Sequence, residues 1–243
     1  MNVPAIAKST FELLKNQPEF SSITQTIIKS LKKIKNNFEK ARFIHNVVDE
    51  YNKEVFSHPL LMEFVPCKSG CSACCHTQVS VTTEEAELLI HHIDNGVDIN
   101  YELLSLQSEA QNNAENYYKL SYQERACVFL SEKGACKVYK DRPSVCRTNA
   151  VIGEASQCAT NTSGPGPQRL VKTSKADMAI VGAYCVTAES GALPYMLAKL
   201  LKERNQLENI NALQSLVNKL KNKKSESNNR LNNSKNVFKD PQI

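Results

Sequence analysis

The stretch CKSGCSACCH, Cys67 to His76, places four cysteines within nine residues, two of them side by side. That density constrains this chain more than any other feature it has. Adjacent cysteines such as Cys74 and Cys75 make a poor disulfide with each other, because the small ring strains the peptide bond between them. The chain holds nine cysteines in 243 residues, an odd number and too sparse for a disulfide scaffold. Cysteine can also pack as a small apolar residue. Four in a short polar loop with a glycine exceed what that role accounts for, which leaves metal or redox chemistry as the reason for the clustering.

Four further cysteines follow at longer intervals: Cys127, Cys136, Cys146 and Cys158. Thiolates are soft ligands that suit zinc, Cu(I) and iron–sulfur clusters. The short spacings from Cys67 to Cys75 let one loop wrap an ion at little loop-closure cost, and the distant group ties a second segment to it. Eight thiolates serve two four-coordinate sites, or one cluster with ligands to spare. Between Arg125 and Arg147 the chain adds Lys133, Lys137, Lys140 and Arg142 against Glu132 and Asp141. Such cations favour the thiolate form, although a solvated basic hairpin would show the same pattern. Cys185, alone in the apolar run MAIVGAYCV, reads as core.

Helical periodicity dominates the remainder. Ile23, Ile27, Leu31, Ile34, Phe38, Ala41, His45, Val48 and Tyr51 recur at steps of three or four, which predicts a helix or helix pair over 23–56. His45 falls on or beside that stripe and reads as a satisfied core or boundary histidine rather than a ligand. Val79 and Val81 alternate with polar residues as in a short strand. Thr82 and Glu85 have capping-box spacing, so a helix should start there and stop at Gly96. His91 and His92 lie in its last turns, where histidine suits the negative end of the helix dipole. A helical stretch is expected over 100–120. CVFLSEKGACKVY, Cys127 to Tyr139, reads as a hairpin turning near Gly134, and Pro143 opens a helical turn carrying Cys146. Helices are expected over 174–188 and from Pro194 onward. The fold class is therefore mainly α: a helical domain around a cysteine-ligated metal centre, with one small β-hairpin.

The expected organisation is N-terminal amphipathic helices at 1–63, a cysteine-cluster metal-binding domain at 64–200, and a helical extension with a basic, disordered tail at 201–243. The net charge of +5 resides in that tail: Lys199–Ile243 holds ten Lys/Arg against four Asp/Glu, and the rest twenty against twenty-one. A basic tail nearly devoid of aromatics is a solubilising segment rather than a nucleic-acid surface. The N-terminus has no signal-peptide pattern and no run is long enough to span a bilayer, so the expected compartment is the cytoplasm and no membrane partner is expected.

CKSGCSACC, then VTTEEA, then CVFLSEKGACKVYKDRPSVCR together resemble the bacterial CxxCxxCC zinc- or iron-chelating family, also called YkgJ-like cysteine cluster proteins. The resemblance covers about residues 64 to 158. It departs from the family in a first spacing of three residues and in Val128, where the family often has proline. It implies a metal or iron–sulfur centre with a structural or redox role, held by Cys67, Cys71, Cys74, Cys75, Cys127, Cys136, Cys146 and Cys158. Iron–sulfur is preferred over zinc because the ligand set exceeds one zinc site. A related branch, the flagellin lysine N-methylases, is similar in the cysteine cluster and implies an alternative, a protein-modifying enzyme using S-adenosylmethionine. The glycine-rich turn after a strand that commonly binds that cofactor is absent. No acid–base pair or nucleophile set stands out, and no catalytic residue is assigned.

Overall fold

The computed structural model describes residues 5–67, 70–153 and 171–205. The chain divides into two compact units, Met1–Leu200 and Leu201–Ile243. The expectations placed on Cys158 and on the tail past residue 205 lie outside the described residues. Among the described residues no helix is long and apolar enough to cross a membrane.

The first unit is mainly helical. Helices α1 (Ala5–Leu14), α2 (Phe20–Lys33), α3 (Asn37–Phe56) and α4 (Pro59–Phe64) precede a 3-10 turn at Ala73–His76. Strand β1 (Ser80–Thr82) leads directly into α5 (Thr83–Asp94), followed by α6 (Tyr101–Ser108), α7 (Ala114–Tyr118), α8 (Ser144–Thr148), α9 (Ser174–Tyr184) and β2 (Ser190–Ala192). A further helix begins at residue 193. The stripe over 23–56 resolves into α2 and α3, separated where Asn36 accepts the Glu39 N–H as an N-cap. Its members Ile27, Leu31 and Val48, joined by Ile44 from the same helices, pack on α9 through Ala176, Ala179, Ile180, Ala183 and Tyr184. Helix α9 is apolar on nearly every side and therefore buried along most of its length.

Helices α2 and α9 approach closely at Gly182. A Cβ there would lie 2.9 Å from Ile27 Cβ and 3.2 Å from the Thr24 carbonyl oxygen. Alanine would gain about 1 kcal/mol in helix propensity and lose more to overpacking, about 1–3 kcal/mol. Gly182→Ala is therefore expected to lower the thermal midpoint, read by circular dichroism; an unchanged or raised midpoint would mean that the contact relaxes freely.

The capping box forms as expected: Thr82 Oγ1 accepts the Glu85 N–H at 3.2 Å and Glu85 Oε2 accepts the Thr82 N–H at 3.1 Å. The 100–120 stretch is interrupted between α6 and α7, where Gln111 takes φ +50°. Asn112 at that break accepts the Ala192 N–H at 2.8 Å and fixes β2.

The sheet lies elsewhere than expected. β1 pairs antiparallel with β2, from more than a hundred residues away, with Val81 opposite Gly191. The Cys127–Tyr139 segment closes as a turn with one bridge, Leu130 to Cys136, and Gly134 at φ +73°. Two cross-strand bonds flank the bridge, Ser131 N–H to Ala135 O and Lys137 N–H to Phe129 O, each at 2.8 Å, and the pairing extends no further. Cys185 is also not core: α9 ends at Tyr184, which takes the buried position, and Cys185 is the exposed C-cap.

Candidate metal centre

Seven of the eight cysteines in the two groups lie among the described residues, all as free thiols. The first group enters through Gly70, whose φ of +85° only glycine adopts cheaply. The following 3-10 turn carries Cys74 and Cys75, closed by Cys75 N–H to Ser72 O at 2.8 Å. The second group reaches this turn through the main chain itself: Cys127 N–H donates to Cys75 O at 2.8 Å. Cys136 follows on the bridged turn, and Cys146 sits in α8.

The backbone around these cysteines is arranged to stabilise sulfur as an anion. Cys127 Sγ accepts the Phe129 N–H and Cys136 Sγ the Val138 N–H, each from two residues downstream. Cys67 Sγ accepts the Val151 N–H. Gly153 N–H then donates to Phe64 O at 2.9 Å, so the stretch after α8 returns beside the chain that leads into Cys67.

Charge opposes this arrangement as long as the sulfurs have only each other. Burial, then the neighbouring thiols, push Cys127 up to about 12 and Cys146 well above the usual thiol range. Burial also raises Cys67 and Cys136. Cys75 donates its proton to Cys74, which raises Cys75 and lowers Cys74 to about 7. Each of these costs is repulsion or desolvation of negative sulfur, which a multivalent soft cation reverses. The donor set thus fits a thiophilic metal: clustered sulfurs, N–H groups aimed at them and an electrostatic deficit of positive charge. Among the described residues no three Cys, His, Asp or Glu side chains are set to hold a single ion.

Of the six cations expected to support the thiolates, Arg142 does so, lowering Cys74 and Cys136 while its guanidinium lies 4.0 Å from the Tyr139 ring centroid. Others hold the scaffold. Arg125 is buried against the rings of Tyr118 and Tyr122. Arg147 is buried too, bonding Asp49 at 2.5 Å and the Arg142 carbonyl at 3.0 Å. Lys137 donates to the Asp98 carbonyl at 2.7 Å.

The expected core histidine, His45, is 2% exposed, and its Nε2 donates to Glu85 Oε1 at 3.2 Å. His91 packs on the Phe38 ring at the end of α5. His92 Nε2 donates to Asp141 Oδ2 at 2.8 Å, tying α5 to the segment just before Arg142. Sequence reasoning missed that pair and also missed the second role of Glu85, whose Oε1 accepts both the N–H and the Oγ–H of Ser144 at 2.7 and 2.6 Å. No local pattern links Glu85 to Ser144; only the fold brings them together.

A separate pocket of about 120 Å³ is lined by Leu31, Lys40, Thr82, Glu84 and Val186 among others. It is smaller than the roughly 300 Å³ at which cofactor-sized pockets begin.

Residues 66–164 match the family model CxxCxxCC, described as "Putative zinc- or iron-chelating domain". The matched range includes all eight cysteines of the two groups and ends before Cys185. No curated protein and no solved structure matches the chain.

Proposed function

With residues 66–164 matching a zinc- or iron-chelating domain, we propose that this protein holds an iron–sulfur cluster, or failing that zinc, in a structural or redox role. The ligands would come from Cys67, Cys71, Cys74, Cys75, Cys127, Cys136, Cys146 and Cys158. The observation that carries the reading is the joining of the two groups at Cys127 N–H to Cys75 O, with backbone N–H groups donating to Cys67, Cys127 and Cys136 sulfurs. Hydrogen bonds to sulfur set the potential of iron–sulfur centres and favour thiolate at zinc alike. The preference for iron–sulfur rests on ligand number, since one closed zinc site uses four thiolates and this chain supplies twice that. When bound, such a cluster supplies one-electron transfer; zinc supplies folding energy alone.

The test is anaerobic purification followed by a visible spectrum and quantitation of iron, zinc and acid-labile sulfide. Iron with matching sulfide and a broad visible absorbance is the expected result. Zinc without sulfide would leave metal binding standing and remove the cluster. Neither metal, after reconstitution with both, would overturn the proposal.

A further inference from the structure

We propose that Glu85 is a positioning residue for this centre: by anchoring the start of α8 it fixes where Cys146 lies. The inference rests on the metal-binding reading and deepens it. Helix α8 has five residues, too few to be stable alone. Its N-cap is Pro143, which provides no side-chain cap. The need is met from α5, ten residues beyond Cys75. Glu85 Oε1 accepts the Ser144 N–H at 2.7 Å and the Ser144 Oγ–H at 2.6 Å, while Glu85 Oε2 accepts the Thr82 N–H at 3.1 Å. A carboxylate receiving donors on both oxygens is acceptor-only, hence ionised. His45 Nε2 at 3.2 Å completes the set from α3.

The other end of α8 is held as firmly. Asn52 donates to the Arg147 carbonyl at 2.9 Å, and Arg147 bonds Asp49 on the same α3. Cys146 therefore lies between two anchored residues, Ser144 and Arg147, both tied to the helical core. Burial and the other thiols make a Cys146 thiolate unfavourable, and the Glu85 charge adds to that cost. The carboxylate thus works through geometry and not by easing ionisation of the sulfur. An outer-shell group of this kind orients a ligand it does not itself touch.

The test uses the full chain loaded with Zn²⁺, with zinc release followed through a chromogenic chelator. Glu85→Gln and Ser144→Ala are both expected to speed release about tenfold or more, in the range seen for outer-shell partners. Ser144→Ala keeps the carboxylate charge, so a shared effect comes from the anchor. In a Cys146→Ser background neither variant should add anything further. In the metal-free chain, mass spectrometry after iodoacetamide treatment should show faster alkylation of Cys146, with Cys136 unchanged. Acceleration by Glu85→Gln alone would assign the effect to charge and overturn the proposal. So would equal acceleration in the Cys146→Ser background, or uniform alkylation of both cysteines, since either means general loosening. A chain that takes up neither zinc nor iron would refute the metal reading, and the alkylation arm would still decide whether Glu85 positions Cys146.

Discussion

Cys136→Ser is expected to lose bound metal and, with it, several kcal/mol of folding stability, a part of the roughly 10–16 kcal/mol that a structural metal contributes, because metal-binding energy is also folding energy. Serine keeps the shape of the side chain but offers a hard, protonated oxygen where the site presents soft sulfur. The Cys136 turn has one bridge, Leu130 to Cys136, and no ladder to hold it. A metal held by Cys136 would therefore add a tie to this segment, and its loss should loosen the turn. Cys71→Ser should behave alike. Cys185→Ser is the control: the thiol is exposed at the end of α9, and surface changes of this kind stay within about 0.5 kcal/mol. Metal content by elemental analysis and thermal midpoints measured together decide the matter. Full metal and an unchanged midpoint in both Cys71→Ser and Cys136→Ser would remove these residues from the ligand set.

What could be seen in the sequence was whatever depends on neighbours along the chain. The Thr82–Glu85 box, the glycine stop at Gly96 and the apolar stripe on α2 and α3 are local, with spacings fixed by helix geometry. The cysteine groups stand out for the same reason, as short intervals of one residue type. What stayed hidden is non-local. The Cys127–Tyr139 segment has strand-forming composition, yet it closes as a tight turn with a single bridge, and the sheet forms between β1 and β2 instead. Composition cannot show which acceptor an N–H will find. Cys185 lies in an apolar run, but α9 ends one residue before it, and a helix end differs from a helix interior by a single step. Glu85 is the sharpest case. As a helix-start acid it needs no explanation beyond the capping box, and its 3% exposure and its bonds to Ser144 and His45 arise only from packing three helices together.

His45→Ala is expected to destabilise the fold by about 1–3 kcal/mol, since it removes a hydrogen-bond partner from the buried Glu85 carboxylate. The remaining partner, Glu85, is 3% exposed and would keep only Ser144 and Thr82 as donors. Burial pushes the Glu85 carboxyl upward, but the bonds from His45 and Ser144 outweigh it and hold the group below its usual 4.5. A carboxyl that titrates lower when folded contributes stability fully above its unfolded pKa. That contribution is lost as the pH falls through the folded pKa. Thermal midpoints of the wild-type chain should therefore be steady as the pH drops from about 7 to about 4.5, then fall steeply below it. His45→Ala removes a donor that favours the ionised form, so the Glu85 carboxyl is lowered less on folding and the acid decline should be shallower. Glu85→Gln has no carboxyl to titrate there, so its midpoint should start lower and decline less over the same acid range. Parallel acid limbs in all three proteins would show that other carboxylates govern acid unfolding, and that this network contributes packing without electrostatic linkage.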